Sequence, residues 1–496
     1  MKINMKKTVL VLMTASLTAC VGKQLPVTPD EQHAVSLAEM ERVFNFRPDR
    51  VLGLQDVIGY TMTRNQDVIT KNFELEISRG EKLFANLGYL PTLEASLRDT
   101  RRDSLLLTTS ERLGQPPIEG VDTIPSFSAP QDVRNESVAI KWDLLNVAKN
   151  YLTVKQKANE EYIAKNNRER TAQNIFRDIY PAYSLSTINQ HEGKQLKALS
   201  AKLKFALDKR CSVFGGGGAI NGNDALATNC MSALSSINNV KDLLSSLRSA
   251  ELNLHALMSV PSDHEILLEK PRFTDPGAIQ MDLDELLDYA IANRPELGVE
   301  IYRERIAKLD KQKAKIDILP SVEFGYTYNE TDNPFVVNQE FEESSFNVTW
   351  NLISKVIGTP LRIRQADRQA QLAKSRYRAL LITILTQTEL AHSEFITARE
   401  KWINSYQKHK IQAKIQLRNR SKYEAGAISE IEHYKNEIDA VLSQMQVSAD
   451  YGRMIDGLSM LYLSIGIPVT PNLDITDPSR LVDLIAARLR ELSILS

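Results

Sequence analysis

Seven histidines, three cysteines and a run of four glycines are the residues of this chain best suited to chemistry. The histidines, among them His191, His255 and His264, are scattered, and none forms the His-x-x-x-His pair that places two imidazoles on one helical face for zinc. Gly215 to Gly218 would cradle a phosphate only with Gly-Lys-Ser/Thr behind and a strand in front, and it has neither. No catalytic constellation, metal site or cofactor is therefore expected. Lys+Arg 61 against Asp+Glu 62 leaves a net charge of -1, which excludes the basic footprint of a nucleic-acid binder.

The first residues do carry chemistry. Met1 to Lys7 include three lysines, and Thr8 to Ala19 is a short apolar run, a secretory signal too short to span a bilayer as a helix. It ends Leu17-Thr18-Ala19-Cys20, which resembles the bacterial lipobox, so Cys20 is expected to be acylated and to become the mature N-terminus. Val21 follows rather than Asp, which by the lipoprotein rule directs the chain to the outer membrane. The other cysteines, Cys211 and Cys230, form an even pair in a chain bound for an oxidising compartment. A disulfide is the favoured reading, with two free buried thiols as the alternative.

The elements that would position these residues come twice. Leu54-Gln-Asp-Val57-Ile58-Gly-Tyr60 matches Leu283-Asp-Glu-Leu286-Leu287-Asp-Tyr289, and Tyr89-Leu90-Pro91 matches Ile318-Leu319-Pro320, both at an offset of 229. Trp142-Asp-Leu144-Leu145 matches Trp350-Asn-Leu352-Ile353 at 208, and Leu257 to Pro261 matches Ser464 to Pro468 at 207. The chain reads as two copies of one unit: helix, strand pair, very long helix, turn, helix.

In the second copy, Leu283 to Ile318 has the spacing of one helix, closed by Pro320. Val322, Phe324, Tyr326 and Tyr328 then alternate with polar residues, as do Phe346, Val348, Trp350 and Leu352. In the first copy Val138, Ile140, Trp142 and Leu144 share a face, with Leu93, Ala95 and Leu97 as the outgoing partner. Residues 101–132 between them read as an exposed loop. Two strands per copy are too few for an independent sandwich. Apolar outside, polar inside and aromatic ends at Trp142, Tyr326, Tyr328 and Trp350 are the pattern of a transmembrane barrel. Four strands cannot close one, so several chains must share it.

From Leu361 to Ala425 there is no Gly or Pro. Such a helix reaches about 100 Å at the standard rise, and small residues such as Ala391 and Ala398 suit close packing of neighbours. It stops at Tyr423-Glu-Ala-Gly426, with Ser429 as the next N-cap candidate. The corresponding tip in the first copy is the glycine run from Gly215, flanked by Cys211 and Cys230. Pro181 is expected to kink the first long helix.

These stretches, above all Ile318-Leu319-Pro320, Val348-Thr-Trp350, Ile140-Lys-Trp142 and Tyr423 to Ser429, resemble the TolC family of outer-membrane channels, over roughly residues 52–468. The resemblance implies a mixed α and β, TolC-like fold and a homotrimer. Three chains would form a twelve-stranded transmembrane β-barrel continuous with a long periplasmic α-helical barrel. It also implies partners: a periplasmic adaptor (membrane fusion) protein, an inner-membrane transporter and outer-membrane lipid. Gly215, Gly426 and Ser429 fall at the adaptor-facing tips. Glu432 matches an acidic tunnel gate, whereas Lys435 stands where a second acid is usual; the alternative is a pair of solvated helix charges.

The expected organisation is a signal peptide (1–19), an N-terminal periplasmic segment (20–50), a first repeat (51–262), a linker (263–280), a second repeat (281–468) and a C-terminal segment (469–496). Strands are placed at about 92–101, 133–144, 321–329 and 345–352, and helical hairpins at about 146–260 and 360–466. The function so implied is passive conduction in a tripartite efflux or type I secretion system. A structural coiled-coil envelope lipoprotein is the alternative, and it leaves the strands unexplained.

Overall fold

The computed structural model describes residues 27–108, 126–211, 224–270, 273, 275–277 and 282–466, with backbone only at 224–226 and 354. The signal peptide with Cys20, Gly215 and its glycine run, and the segment 469–496 lie outside the described residues.

Helix α1 (Pro29–Val43) is capped by Thr28, whose hydroxyl accepts from the Glu31 amide at 3.2 Å, and it buries none of its residues. Then come α2 (Leu54–Arg64), α3 (Gln66–Leu87), β1 (Thr92–Arg101), β2 (Asp132–Asp143) and α4 (Leu144–Ile188). A π-turn (Asn189–Gly193) leads into α5 (Lys194–Cys211), and α6 (Asp224–Met258) returns. The second half comprises α7 (Leu283–Asn293), α8 (Pro295–Ile316), β3 (Ser321–Thr331), β4 (Glu340–Thr349), α9 (Leu352–Glu424) and α10 (Glu430–Ser464).

The periodicity of Leu283 to Ile318 reads as one helix, but the structure breaks it at Arg294. Pro295 has no N–H to donate and forces Arg294 into extended backbone, φ -69° and ψ 121°. Asn65 makes the same break between α2 and α3, its side chain capping the Asp67 amide at 3.0 Å. Both breaks receive the end of another helix. Asn65 Nδ2 donates to the Leu257 carbonyl at the end of α6 (3.2 Å), and Arg294 Nη1 donates to the Leu463 carbonyl at the end of α10 (3.2 Å). Carbonyls in the last turns of α6 and α10 thus accept from the residues that cap α3 and α8.

Side by side, α3, α4, α8 and α9 form a row in that order, and α10 runs back along α9, α5 and α4. Pro181 lies within α4, which continues through it to Ile188, and the π-helical turn follows at Asn189–Gly193. Helix α9 has 73 residues and spans about 110 Å at 1.5 Å per residue. It takes in Gly358 and Pro360, so it starts eight residues before the expected hairpin. Strand β4 correspondingly ends at Thr349, where Ser321 is the last residue able to pair; the next position on β3's side is Pro320, which cannot donate.

The main core lies where α2 meets α4, α9 and α10, around Ile58, Ile179, Phe395, Met454 and Leu458. A second cluster joins α5, α6 and α10 through Leu203, Val240 and Ile438. The four strands form one antiparallel sheet in the order β1-β2-β3-β4, leaving β1 and β4 as edges.

Candidate functional site

Most residues of the sheet are exposed or half-buried on both faces, with Val133 and Ala139 of β2 buried. The register puts Leu93, Ile140, Tyr326 and Ser344 in one row across the sheet, followed by Trp142, Phe324 and Phe346, then by Val322 and Val348. This face is apolar yet open to solvent: Leu93 is 71% exposed and Phe346 62%. On the opposite face Glu94, Ala139, Thr327 and Glu343 share a row, and Lys141 Nζ meets Glu94 Oε2 at 2.6 Å. Towards the loop end acids enter this face, first Glu342 opposite Tyr328 and then Glu136, Glu330 and Glu340 side by side.

Of the aromatics singled out in the sequence, Tyr326 and Tyr328 lie within this apolar face, opposite Ile140 and Val138. Trp142 and Trp350 lie at its helix end and do something the alternation does not reveal. Each indole N–H donates to a carbonyl of the turn that leads into the neighbouring strand: Trp142 Nε1 to Tyr89 (3.3 Å) and Trp350 Nε1 to Ile318 (3.0 Å). The two rings latch the junctions between helices and sheet.

At the far end of α9 the chain turns through Gly426 at φ 70°. The Ala427 amide donates to the Lys422 carbonyl (2.8 Å) and the Gly426 amide to Tyr423 (2.9 Å), the pair of bonds that closes a helix around a left-handed glycine. Ser429 caps α10, accepting from the Glu432 amide at 3.2 Å. The Tyr423 ring stacks on His433 with centroids 4.1 Å apart, tying the two arms. Glu432 is exposed, and Lys435 turns from it to donate to Ser232 on α6 at 2.8 Å. Cys211, ending α5, is bonded to Cys230 on α6, with Cα atoms 6.3 Å apart.

A second polar group has no signature in the sequence. Between α9 and α10 a groove of about 300 Å³ is lined by Glu394, Lys401, Asp450, Arg453 and Asp456. Asp450 accepts from Gln446 (2.9 Å) and Arg453 (2.8 Å), whereas the buried Oδ1 of Asp456 has no partner. Burial pushes the Asp456 carboxyl up to about 6, with Arg177 opposing and Glu394 and Asp178 reinforcing the rise. These partners come from α4 and α9, so spacing along the chain could not reveal them. Among the described residues no group of side chains has the makeup of a metal site, and no helix is long and apolar enough to cross a membrane.

No protein-family model matches this sequence, and no curated protein does. Solved structures do match it. The outer-membrane channel OprN is 14% identical with a TM-score of 0.59, over 83% of this chain and 89% of that one. The CmeC outer membrane channel of Campylobacter jejuni is 13% identical with a TM-score of 0.61, over 89% of this chain and 90% of that one. The MtrE outer membrane channel of Neisseria gonorrhoeae, solved in its open state, is 13% identical with a TM-score of 0.59, over 83% and 88%. At these identities the likeness is one of fold, and it extends over nearly the whole of each chain.

Proposed function

We propose that this chain, which has the fold of outer-membrane channels of the TolC type, is a passive export channel of the bacterial outer membrane. The observation that carries the reading is the sheet: largely apolar and exposed on one face, polar on the other, and unpaired at both edges. Water penalises the first face and lipid the open edges. A closed barrel with lipid outside and water inside removes both penalties. From Val322 to Tyr328 the apolar band runs about 20 Å along the strand at the usual rise per residue, which at the ~40° strand tilt of such barrels covers roughly 15 Å of the lipid-facing height.

Four strands per chain and two open edges are met by a homotrimer with a twelve-stranded barrel. The helix row ends at α3 on one side and at α9 on the other, on the same sides as β1 and β4, and α10 packs along α9 only from about Ile384 towards the tip. Three such rows would close a tunnel beneath the barrel. We read the chain as two repeats of one unit, anchored to the outer membrane by lipid on Cys20, with Gly215, Gly426 and Ser429 at tips that meet a periplasmic adaptor and its inner-membrane transporter. Glu432 would face the tunnel mouth alone, since Lys435 is engaged by Ser232.

The test is the assembly state of the membrane-extracted protein. In detergent it should run as a trimer that falls to monomer on boiling. A monodisperse monomer, stable without detergent, contradicts the reading and favours a purely structural envelope lipoprotein.

A further inference from the structure

We propose that the cavity where α4, α6 and the segment 264–268 meet is a binding site for a small neutral hydroxyl compound, a phenol or an alcohol with a compact apolar body. The cavity holds about 410 Å³, within the roughly 300–1,000 Å³ of small-molecule sites. Leu244, Leu254, Ile266 and Leu268 supply its apolar wall. Leu254, Ile266 and Leu268 belong to the main core, whereas Leu244 packs against the second cluster, so the space lies between the two. The π-turn Asn189–Gly193 forms another side, where the wider hydrogen-bonded ring opens the helix.

Two side chains give the cavity its chemistry. Ser186 of α4 and His255 of α6 both line it, each only 3% exposed, and neither Ser186 Oγ nor His255 Nδ1 has a hydrogen-bond partner. The other ring nitrogen of His255 is turned to the Pro261 carbonyl, and burial holds the imidazole below its usual pKa. At neutral pH Nδ1 is therefore an acceptor with nothing to accept. The Ser186 hydroxyl can donate or accept. A ligand hydroxyl has both capacities, so it suits the imidazole acceptor and the serine donor alike.

The remaining polar wall is engaged. Asn189 donates to Glu251 (2.9 Å), and Gln190 donates to the Ile266 carbonyl (3.1 Å) and accepts from the Leu268 amide (2.8 Å). Arg248 pairs with Glu251 (2.9 Å) and Lys194 with Glu265 (3.4 Å), while Lys197 is exposed to solvent. An ionic ligand would carry its charge in among aliphatic side chains, at a desolvation cost that these internal pairs do not offset. Water could meet Ser186 and His255 but finds no partner along the leucine and isoleucine wall. The apolar body of a phenol covers that wall. A molecule seated there touches α4, α6 and the segment 264–268 together, and so fastens the connection between the two halves of the chain to the first hairpin. The site is built within one chain, so the inference goes beyond the channel reading and does not rest on it.

The experiment soaks crystals of the full-length, detergent-solubilised protein with 4-bromophenol and, separately, with bromobenzene, which lacks the hydroxyl. Both probes are also titrated against the melting temperature at neutral pH and one fixed detergent concentration. 4-Bromophenol should place a bromine anomalous peak inside the cavity and bind about tenfold more tightly than bromobenzene. His255→Leu should bring 4-bromophenol down to the affinity of bromobenzene, and His255→Gln, which keeps an acceptor, should recover most of the difference. Ser186→Ala should weaken 4-bromophenol severalfold. Leu244→Trp fills the space from a half-buried wall position and should abolish both peaks with the fold retained. A wild-type cavity without bromine overturns the proposal and marks a space held by water alone. Equal affinities for the two probes with His255→Leu silent also overturn it, since they describe a plain packing void. A melting shift that survives Leu244→Trp does the same, because the probe then binds elsewhere.

Discussion

Asp456 keeps an unpartnered carboxylate oxygen in the groove between α9 and α10, and its raised proton affinity turns pH into a stability variable. Its carboxyl titrates near 3.8 when unfolded and at about 6 when folded, so the folded state holds the extra proton in between. This residue's contribution is therefore fully present below about pH 4 and lost as pH rises through about 6. Asp456→Asn should remove that slope and stabilise the protein by ~1–3 kcal/mol at pH 7, read as a higher melting temperature at pH 7 but not at pH 4. An equal shift at both would mean that the carboxylate is solvated. Trp350→Phe keeps the ring and removes the bond to the Ile318 carbonyl, at a cost of ~1 kcal/mol in thermal or denaturant unfolding. The positions of both tryptophans are legible from alternation along the strands, but their role as latches is not, because Tyr89 and Ile318 reach them from another element.

Among the elements, the breaks at Asn65 and Arg294 divide what periodicity presents as continuous helices. The apolar rhythm survives across Pro295 because α7 and α8 both pack against α9, so spacing alone cannot mark the boundary. Pro295 itself was the legible signal. At the second break, Gly466 adopts φ 78°, and a Cβ there would lie 2.7 Å from the Asn293 carbonyl carbon. Gly466→Ala should cost ~2 kcal/mol or more, through strain and that clash together. Gly277 has φ 82° with open space around it, so Gly277→Ala should cost only ~1 kcal/mol. Equal melting shifts would show that the abutting helices can part freely. Cys211–Cys230 staples the α5–α6 arms, and reduction should cost about 3 kcal/mol in the chain-entropy view. Unfolding with and without reductant measures this.

The strand pairs, long helices and tight tip at Gly426 were legible because each is written locally, in alternation, in the absence of breakers and in turn residues. The order of the sheet and the stacking of helix ends depend on contacts between distant segments, and these the sequence does not spell out.

For the whole molecule, the proposed function makes the tip beyond Tyr423 a docking surface for the adaptor. Ser429→Arg should abolish export in cells while leaving the detergent-extracted trimer intact. Normal export in that variant would count against an adaptor contact at the tip. The central claim, that three copies of this chain enclose a water-filled path across a membrane, is tested most directly by single-channel recording of the purified protein in a planar lipid bilayer. The account predicts discrete, reproducible conductance steps that persist at constant voltage. A bilayer whose conductance stays at that of lipid alone, with trimeric protein inserted, would contradict it.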